Sequence, residues 1–285
     1  LETGLGGALD STNVLDAPLA TIITPIARDH EHFLGTDIIG ITEQKAGIMR
    51  PETPCFSAGQ TAEVASALQS CADKIGAPLM IAGRDFEIRA SADGGGTLIS
   101  PENRIDFPPP GLAGAHQIDN AGLALMALQA TRPYTADGIA NARWPGRVQH
   151  LDNGALADAW PHHQIWLDGA HNAHGAHALA NTLSGIHDGK WNIICGALNT
   201  RDPAEFLAPI APLAGRVACL TIPDQDASLS AAEMRDAAKA QGLNASAAAT
   251  LATAFDSLDP SLPVIICGSL YLAGHVLLQN KTLPD

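Results

Sequence analysis

Ile165-Trp166-Leu167-Asp168-Gly169-Ala170-His171-Asn172 is the stretch that decides how this chain folds. A short apolar run, Ile165 to Leu167, delivers an Asp, a Gly, a His and an Asn into a turn, and an Ala-rich helical pattern (about 172–184) follows at once. A strand that opens straight into a helix marks an α/β sheet. In such sheets ligands bind at the carboxyl ends of the strands, where helix N-termini present unpaired N–H groups. The turn adds a carboxylate and an imidazole at that spot, which points to nucleotide handling. The plainer alternative is that Asp168 or Asn172 only caps the helix.

Four more apolar runs flank this one, at 147–151, 191–195, 216–222 and 263–267. Helical patterns alternate with them at about 203–211, 230–241, 247–257 and 269–279. The alternation predicts a mostly parallel sheet covered by helices. Upstream, strands are expected at 21–24, 54–58 and 79–82, and helices at 37–49, 61–75 and 116–130. Gly94-Gly95-Gly96 and Pro108-Pro109-Pro110 mark 85–110 as a hairpin region closed by a stiff linker. Arg132-Pro133 reads as a boundary, giving domains 1–132 and 133–285.

The 285 residues, 46% of them hydrophobic, suffice for one or two domains with a real core. A formal charge of −14 argues against nucleic acid and anionic membrane as partners. With four Trp and two Tyr, a stacking platform for bases is not expected either. An anionic ligand must then be met locally, by a metal ion, a few Arg or helix N-termini. Cys55, Cys71, Cys195, Cys219 and Cys267 are scattered and odd in number, so they read as neither a disulfide framework nor a zinc site. Cys195 and Cys267 end apolar runs and read as small buried hydrophobes. A reduced, cytoplasmic setting follows. No apolar run reaches the roughly 18 residues that a membrane span needs. The chain starts Leu1-Glu2-Thr3-Gly4, with neither Met nor signal peptide, and reads as the interior of a longer protein.

Five other constellations carry candidate chemistry. Glu2-Thr3-Gly4-Leu5-Gly6-Gly7-Ala8-Leu9-Asp10-Ser11-Thr12-Asn13 offers close backbone approach, carboxylates and hydroxyls, or is an ordinary surface loop. Arg28-Asp29-His30 follows the 21–24 strand; His30 is a ligand or nucleophile-positioning group, or merely solvated. Glu43-Gln44-Lys45-Ala46-Gly47-Ile48 holds one of only five lysines, on a helix's apolar face. Lys45 either snorkels to water or is held near acid or metal for chemistry. His116-Gln117-Ile118-Asp119-Asn120 opens a helix; its residues cap the first turn, or Asn120 reads a base edge. Trp144-Pro145-Gly146-Arg147 aims an Arg from a Pro-Gly turn, suited to phosphate or simply exposed. The templates G-x-x-x-x-G-K-[ST], G-x-S-x-G and H-E-x-x-H are all empty.

In order, Glu-x-Gly-Leu-Gly-Gly (Glu2–Gly7), Asp29-His30, Glu-x-Lys-Ala-Gly-Ile (Glu43–Ile48), His-Gln-x-x-Asn-Ala (His116–Ala121), Pro145-Gly146-Arg147 and Asp168–Asn172 resemble the folylpolyglutamate synthase/dihydrofolate synthase family of the Mur ligases. Gly268-Ser269-Leu270-Tyr271-Leu272-Ala273-Gly274 is similar to that family's C-terminal motif. The resemblance runs from residue 1 to about 275. It implies the remainder of a P-loop ATPase domain followed by a Rossmann-like C-terminal domain, with an active site that closes between them. It implies a cytoplasmic, monomeric ligase that uses ATP, Mg²⁺ and a monovalent cation. That ligase phosphorylates a pteroate or folate carboxylate and joins L-glutamate to the acyl phosphate.

By the same resemblance Glu2 and His30 ligate Mg²⁺, His30 being catalytic as well. Lys45 is carbamylated, catalytic, and holds a second metal. Leu9, Asp10 and Ser11 contact the pteroate. Asn120, Arg147, Asp168 and His171 contact ATP, Asp168 at the ribose hydroxyls and Arg147 at phosphate. The family's phosphate loop precedes the position at which this chain begins, so the chain is expected to be truncated and inactive alone. Ala8, Thr200-Arg201-Asp202 and Asn172-Ala173 depart from the family wording, and the segment between Arg147 and Asp168 is longer than usual. The rival readings are a UDP-muramoyl-type amino-acid ligase and a truncated, non-catalytic nucleotide-binding protein. A nicotinamide-dependent enzyme is weaker still, since G-x-G-x-x-G is missing.

Overall fold

The computed structural model describes residues 1–28, 31–131 and 135–283. His30 and Arg132-Pro133, singled out above, lie outside the described residues. Two compact units form, Leu1–Gly111 with Ala115–Ala142, and Leu112–Gly114 with Arg143–Asp285.

In the first unit, β1 (Thr21–Ile23), β2 (Cys55–Ser57) and β3 (Leu79–Ile81) make a parallel sheet in that order. The short α1 (Glu31–Leu34) and α2 (Ile38–Ala46) lie between β1 and β2, and α3 (Ala62–Ile75) between β2 and β3. Asp37 caps α2 by accepting the N–H groups of Ile39 and Gly40, and Thr61 caps α3. Such caps contribute about 1 kcal/mol each. Gly76 ends α3 at φ 76°, in the left-handed region that suits glycine. Ile41, Val64, Leu68 and Ala72 pack with Ile23 and Cys55 as the core. The Gly/Pro-bounded stretch is an antiparallel meander of β4 (Glu87–Ala90), β5 (Gly96–Ile99) and β6 (Arg104–Phe107). Against it packs α4 (His116–Thr131). A Cβ on Gly122 of α4 would fall 2.6 Å from the Ile88 side chain, so that position stays glycine. A short helix absent from the sequence expectations, α5 (Asp137–Asn141), completes the unit.

The second unit runs β7 (Gln149–His150), α6 (Ala155–Ala159), β8 (Ile165–Leu167), α7 (Ala173–Ile186), β9 (Trp191–Cys195), α8 (Pro203–Ile210), β10 (Ala214–Cys219), α9 (Ala231–Ala240), β11 (Asn244–Ala247), α10 (Leu251–Asp256), β12 (Val264–Cys267) and α11 (Leu270–Asn280). The sheet order is β11-β10-β9-β12-β8-β7, and only β7 is antiparallel. Alternate residues of each strand face opposite ways. Ile193, Cys195, Val217, Cys219, Ile265 and Cys267 meet Leu179, Phe206 and Met234 of α7, α8 and α9. Ile194, Ala218, Val264 and Ile266 meet Leu156, Phe255 and Val276 of α6, α10 and α11. The fold class is therefore α/β, with a mostly parallel sheet covered on both faces.

The sequence reading needs two corrections here. Residues 244–247 form an edge strand, and the helix expected over 247–257 is confined to Leu251–Asp256. Asn-Ala-Ser-Ala carries little strand propensity, and only Ala245 of the four is buried. Of the run 147–151, Gln149 and His150 pair with β8 and the Leu151 N–H donates to Ile165 at 2.8 Å, while Val148, at φ 44°, turns away from the ladder.

Asn192 of β9 is fully buried, and its amide donates to the carbonyls of Asp259 (2.7 Å) and Leu262 (3.2 Å). These bonds clamp the turn that feeds β12. Asn192→Ala leaves two carbonyls poorly satisfied and is expected to cost about 2–3 kcal/mol. Urea unfolding checks this: the midpoint falls while the slope is unchanged.

Candidate functional site

α7 and α11 leave β8 and β12 toward opposite faces of the sheet, although β8 and β12 are neighbours. The chain therefore diverges beyond their carboxyl ends and leaves a crevice, the place where α/β sheets take ligands. Asp168 sits there, 6% exposed. Its Oδ2 accepts the Val148 N–H at 2.8 Å and its Oδ1 accepts the Ala170 N–H at 2.7 Å. Its own N–H donates to Ile266 of β12 at 2.9 Å. The Gly169 N–H donates to Gly146 and the Gly268 N–H to Ala170, at 2.8 and 2.9 Å. The Asp168 carboxylate thus ties the Pro-Gly-Arg turn to the end of β8, and backbone bonds tie that end to β12.

Arg147 is exposed, and among the described residues no hydrogen bond or ion pair occupies it. A Cβ on Gly169 would lie 3.2 Å from Arg147 Nη1 and 2.3 Å from Leu270 Cδ2. The guanidinium and the Leu270 side chain therefore both lie over Gly169, where a Cβ would require Leu270 to shift. His171 is half-buried, with Nδ1 2.8 Å from the Gly169 carbonyl. That nitrogen donates, so in the neutral ring Nε2 is the acceptor. Asn172 caps α7, its Oδ1 accepting from the Gly175 N–H at 2.7 Å, so the capping reading of Asn172 holds. The structure brings Arg147, Asp168 and His171 together at one crevice.

Sequence reasoning assigned no site role to Gly268 or Ser269. Gly268 adopts φ 107°, and a Cβ there would approach the Gly196 carbonyl to 2.6 Å. Ser269, 3% exposed, caps α11 by accepting the Tyr271 N–H at 3.1 Å. The Gly-Ser motif after an apolar run was the available signal.

In the first unit the glycine-rich loop is stitched to the end of α2. The Ala8 N–H donates to Gln44 at 2.8 Å, and Asn13 Nδ2 donates to Ala8 and Gly47, both at 3.1 Å. Arg50 donates to Asn13 Oδ1 at 2.8 Å. A Cβ on Gly7 would meet the Gln44 carbonyl at 2.8 Å. The loop bearing Leu9, Asp10 and Ser11 is thereby joined to the helix bearing Lys45. Asp10 turns inward, accepting from the Leu5 and Thr12 N–H groups at 2.8 Å each and from the Thr12 hydroxyl at 2.6 Å. These bonds, the Thr12 hydroxyl first, hold its carboxyl down at about 2. Leu9, 93% exposed, and Ser11 face solvent. Lys45 is half-buried, and its side chain makes no hydrogen bond or ion pair among the described residues. Asn120 is exposed on α4 and donates to Gln117 Oε1 at 3.1 Å. Glu2 is exposed. No three His, Cys, Asp or Glu side chains among the described residues gather as a metal cluster. Of the expected metal ligands, Glu2 offers a hard oxygen as it stands. Lys45 is an ammonium, which ligates only after conversion to a carbamate.

Residues 147–270 match the family model described as Mur ligase, glutamate ligase domain. The folylpolyglutamate synthase of Lacticaseibacillus casei is 28% identical over an alignment that covers 99% of this chain and 67% of that protein. The dihydrofolate synthase/folylpolyglutamate synthase of Mycobacterium tuberculosis is 32% identical over 75% of this chain and 46% of that one. The solved structure of Escherichia coli FolC in complex with DHPP and ADP superposes with a TM-score of 0.82 at 28% identity, covering 97% of this chain and 64% of that one. A Yersinia pestis bifunctional folylpolyglutamate synthase/dihydrofolate synthase, complexed with AMPPNP and a Mn ion, has the same TM-score and covers 65% of its own length. The second unit thus carries the stretch that matches the Mur ligase glutamate ligase domain. Over most of its length the chain is similar to proteins named folylpolyglutamate synthase or dihydrofolate synthase. It spans about two thirds or less of the length of these relatives.

Because the Asp10 carboxyl is held below its ordinary value of 3.8, its contribution to loop order is present above that value and is lost as pH falls toward about 2. Exchange of the Leu5 and Thr12 amide hydrogens, corrected for intrinsic rates, is expected to lose protection across that window. In Asp10→Ala the protection is expected to be weak at every pH.

Proposed function

We propose that this chain binds ATP and serves the ligation of L-glutamate to a pteroate or folate carboxylate. The observation that carries the reading is the crevice at Asp168. A guanidinium with no partner among the described residues, a residue without a side chain and the first turn of α7 converge there, inside the stretch that matches the glutamate ligase domain. A glycine beneath an Arg at a helix N-terminus suits an anion such as phosphate.

In this reading Arg147 takes phosphate oxygens and Asp168 accepts from the ribose hydroxyls. His171 offers Nε2 as an acceptor, and the Asn120 amide reads the base. ATP supplies the phosphoryl group that turns the folate carboxylate into an acyl phosphate, which the glutamate amine then attacks. Leu9 gives the pteroate ring an apolar contact and Ser11 a hydroxyl, while Asp10 shapes the loop that presents them. Glu2, His30 and Lys45 as its carbamate would hold Mg²⁺, which neutralises phosphate charge. The carbamate accounts for a lysine half-buried with no side-chain partner among the described residues.

Calorimetric titration with ADP tests the site directly. Arg147→Ala is expected to weaken ADP by about tenfold to a hundredfold, the value of one charge-assisted contact, with the melting temperature little changed. An unchanged affinity would remove Arg147 from the site. The substrate is tested by ATP- and glutamate-dependent product formation on dihydropteroate or tetrahydrofolate, with UDP-muramoyl peptides as the competing acceptors. Turnover of the muramoyl acceptors alone would replace the folate assignment.

A further inference from the structure

We infer that Asp168 is a positioning residue for Arg147, its carboxylate holding a strained turn that lays the guanidinium over Gly169. The inference rests on the nucleotide reading above and goes beyond it, since that reading gives Asp168 only the ribose.

Val148 is the reason. It has φ 44°, in the left-handed region, and is 6% exposed. A β-branched residue is a genuine outlier there and stays only when its surroundings hold it. The chain around it has an easier option. Gln149 and His150 already pair with β8, and an extended Val148 would continue that ladder. The Val148 N–H instead donates to Asp168 Oδ2 at 2.8 Å. Two further bonds brace the turn, from Gly169 N–H to Gly146 at 2.8 Å and from Gly146 N–H to Gln149 Oε1 at 3.0 Å. Neither touches Val148, so the carboxylate is the acceptor that rewards the strained conformation. Arg147 is the residue immediately before it, and its Nη1 is carried to Gly169 by the same turn. The Asp168 oxygens each hold a backbone N–H, and Arg147 itself has no ion pair among the described residues. The carboxylate therefore aims the cation without neutralising it by direct pairing.

Inorganic tripolyphosphate separates the two roles, because it has no ribose. Wild type, Asp168→Asn, Arg147→Ala and the double variant are titrated with ADP and with tripolyphosphate. Asp168→Asn is nearly isosteric, and circular dichroism with a cooperative melt establishes that each variant is folded. Removing a negative charge beside an anion site would by itself tighten tripolyphosphate, so a loss cannot come from charge. Expected is a loss of about tenfold or more in tripolyphosphate affinity for either single variant, with no further loss in the double. Val148→Pro, which keeps the carboxylate but removes the N–H and forbids the positive φ, is expected to lose tripolyphosphate likewise. Asp168→Asn that binds tripolyphosphate as well as wild type while losing ADP overturns the inference and leaves a ribose contact. Additive losses in the double variant overturn it too. Wild type that binds ADP but not tripolyphosphate overturns it while the nucleotide reading stands. Wild type that binds neither removes that reading and the inference together.

Discussion

With β12 inserted between β8 and β9, the strands beside it send their chains to the opposite face from its own. That crossing is what the candidate site depends on. It separates the turns after Leu167 and Cys267 and so opens a crevice. It also forces backbones together just below it, and there side chains are excluded. Gly169 lies under Leu270 and Arg147, and Gly268 lies against the Gly196 carbonyl. The glycines at the strand ends are consequences of topology before they are features of recognition. A Cβ at Gly268 would face a backbone oxygen that cannot swing aside, whereas at Gly169 the Leu270 side chain has some freedom to yield. Packing beneath the crevice is tight as well. In-register pairing sets Cys219, Cys195 and Cys267 in one row across β10, β9 and β12, all buried. They act as small apolar fillers of the sheet face covered by α8 and α9, and burial pushes the Cys267 thiol well above its usual range, with Asp168 adding to it.

How far this was readable in the sequence depended on how local each cause was. Elements with strong caps and a clear apolar period were legible to within a few residues. α2 begins after Asp37, α3 after Thr61 and α7 after Asn172. β8, β9 and β12 are short apolar runs that only a covered parallel sheet can bury. β11 escaped because it sits at the sheet edge, where Ala and Asn suffice and burial asks for only one apolar residue. α5 and α6, five residues each, are too short to show a period. Strand order was not legible at all. Nothing in Val264–Cys267 announces that it enters beside Ile165–Leu167 rather than extending the sheet beyond β11.

The site residues divide in the same way. Residue types at strand and helix ends pointed to Arg147, Asp168 and His171, and the structure gathers these three. Their partners could not be read, because they are backbone groups, and which of them a side chain meets is set by the turn and not by residue type. Asp168 finds Val148 twenty positions away, and Asp10 finds Leu5 and Thr12 across its own loop. A run such as Leu9-Asp10-Ser11 invites the view that its charged member meets the ligand. The hydrogen bonds turn Asp10 inward and leave its neighbours outward.

Asp10 and Asp168 together bear on a wider difficulty, namely how a chain of charge −14 can receive an anion. A carboxylate near an anion site repels it unless its charge is answered. Backbone N–H groups, which carry partial positive charge, answer it in both cases, joined at Asp10 by the Thr12 hydroxyl, which acts first there. Asp168 holds two of them, and by holding them it fixes the turn that exposes a cation. The local field at the crevice is then set by Arg147, the α7 N-terminus and the engaged amides, while the net charge resides on the remaining surface. At physiological salt that surface is screened over about 8 Å, so a contact within hydrogen-bonding range of Arg147 is governed by the crevice and not by the sum of the chain's charges.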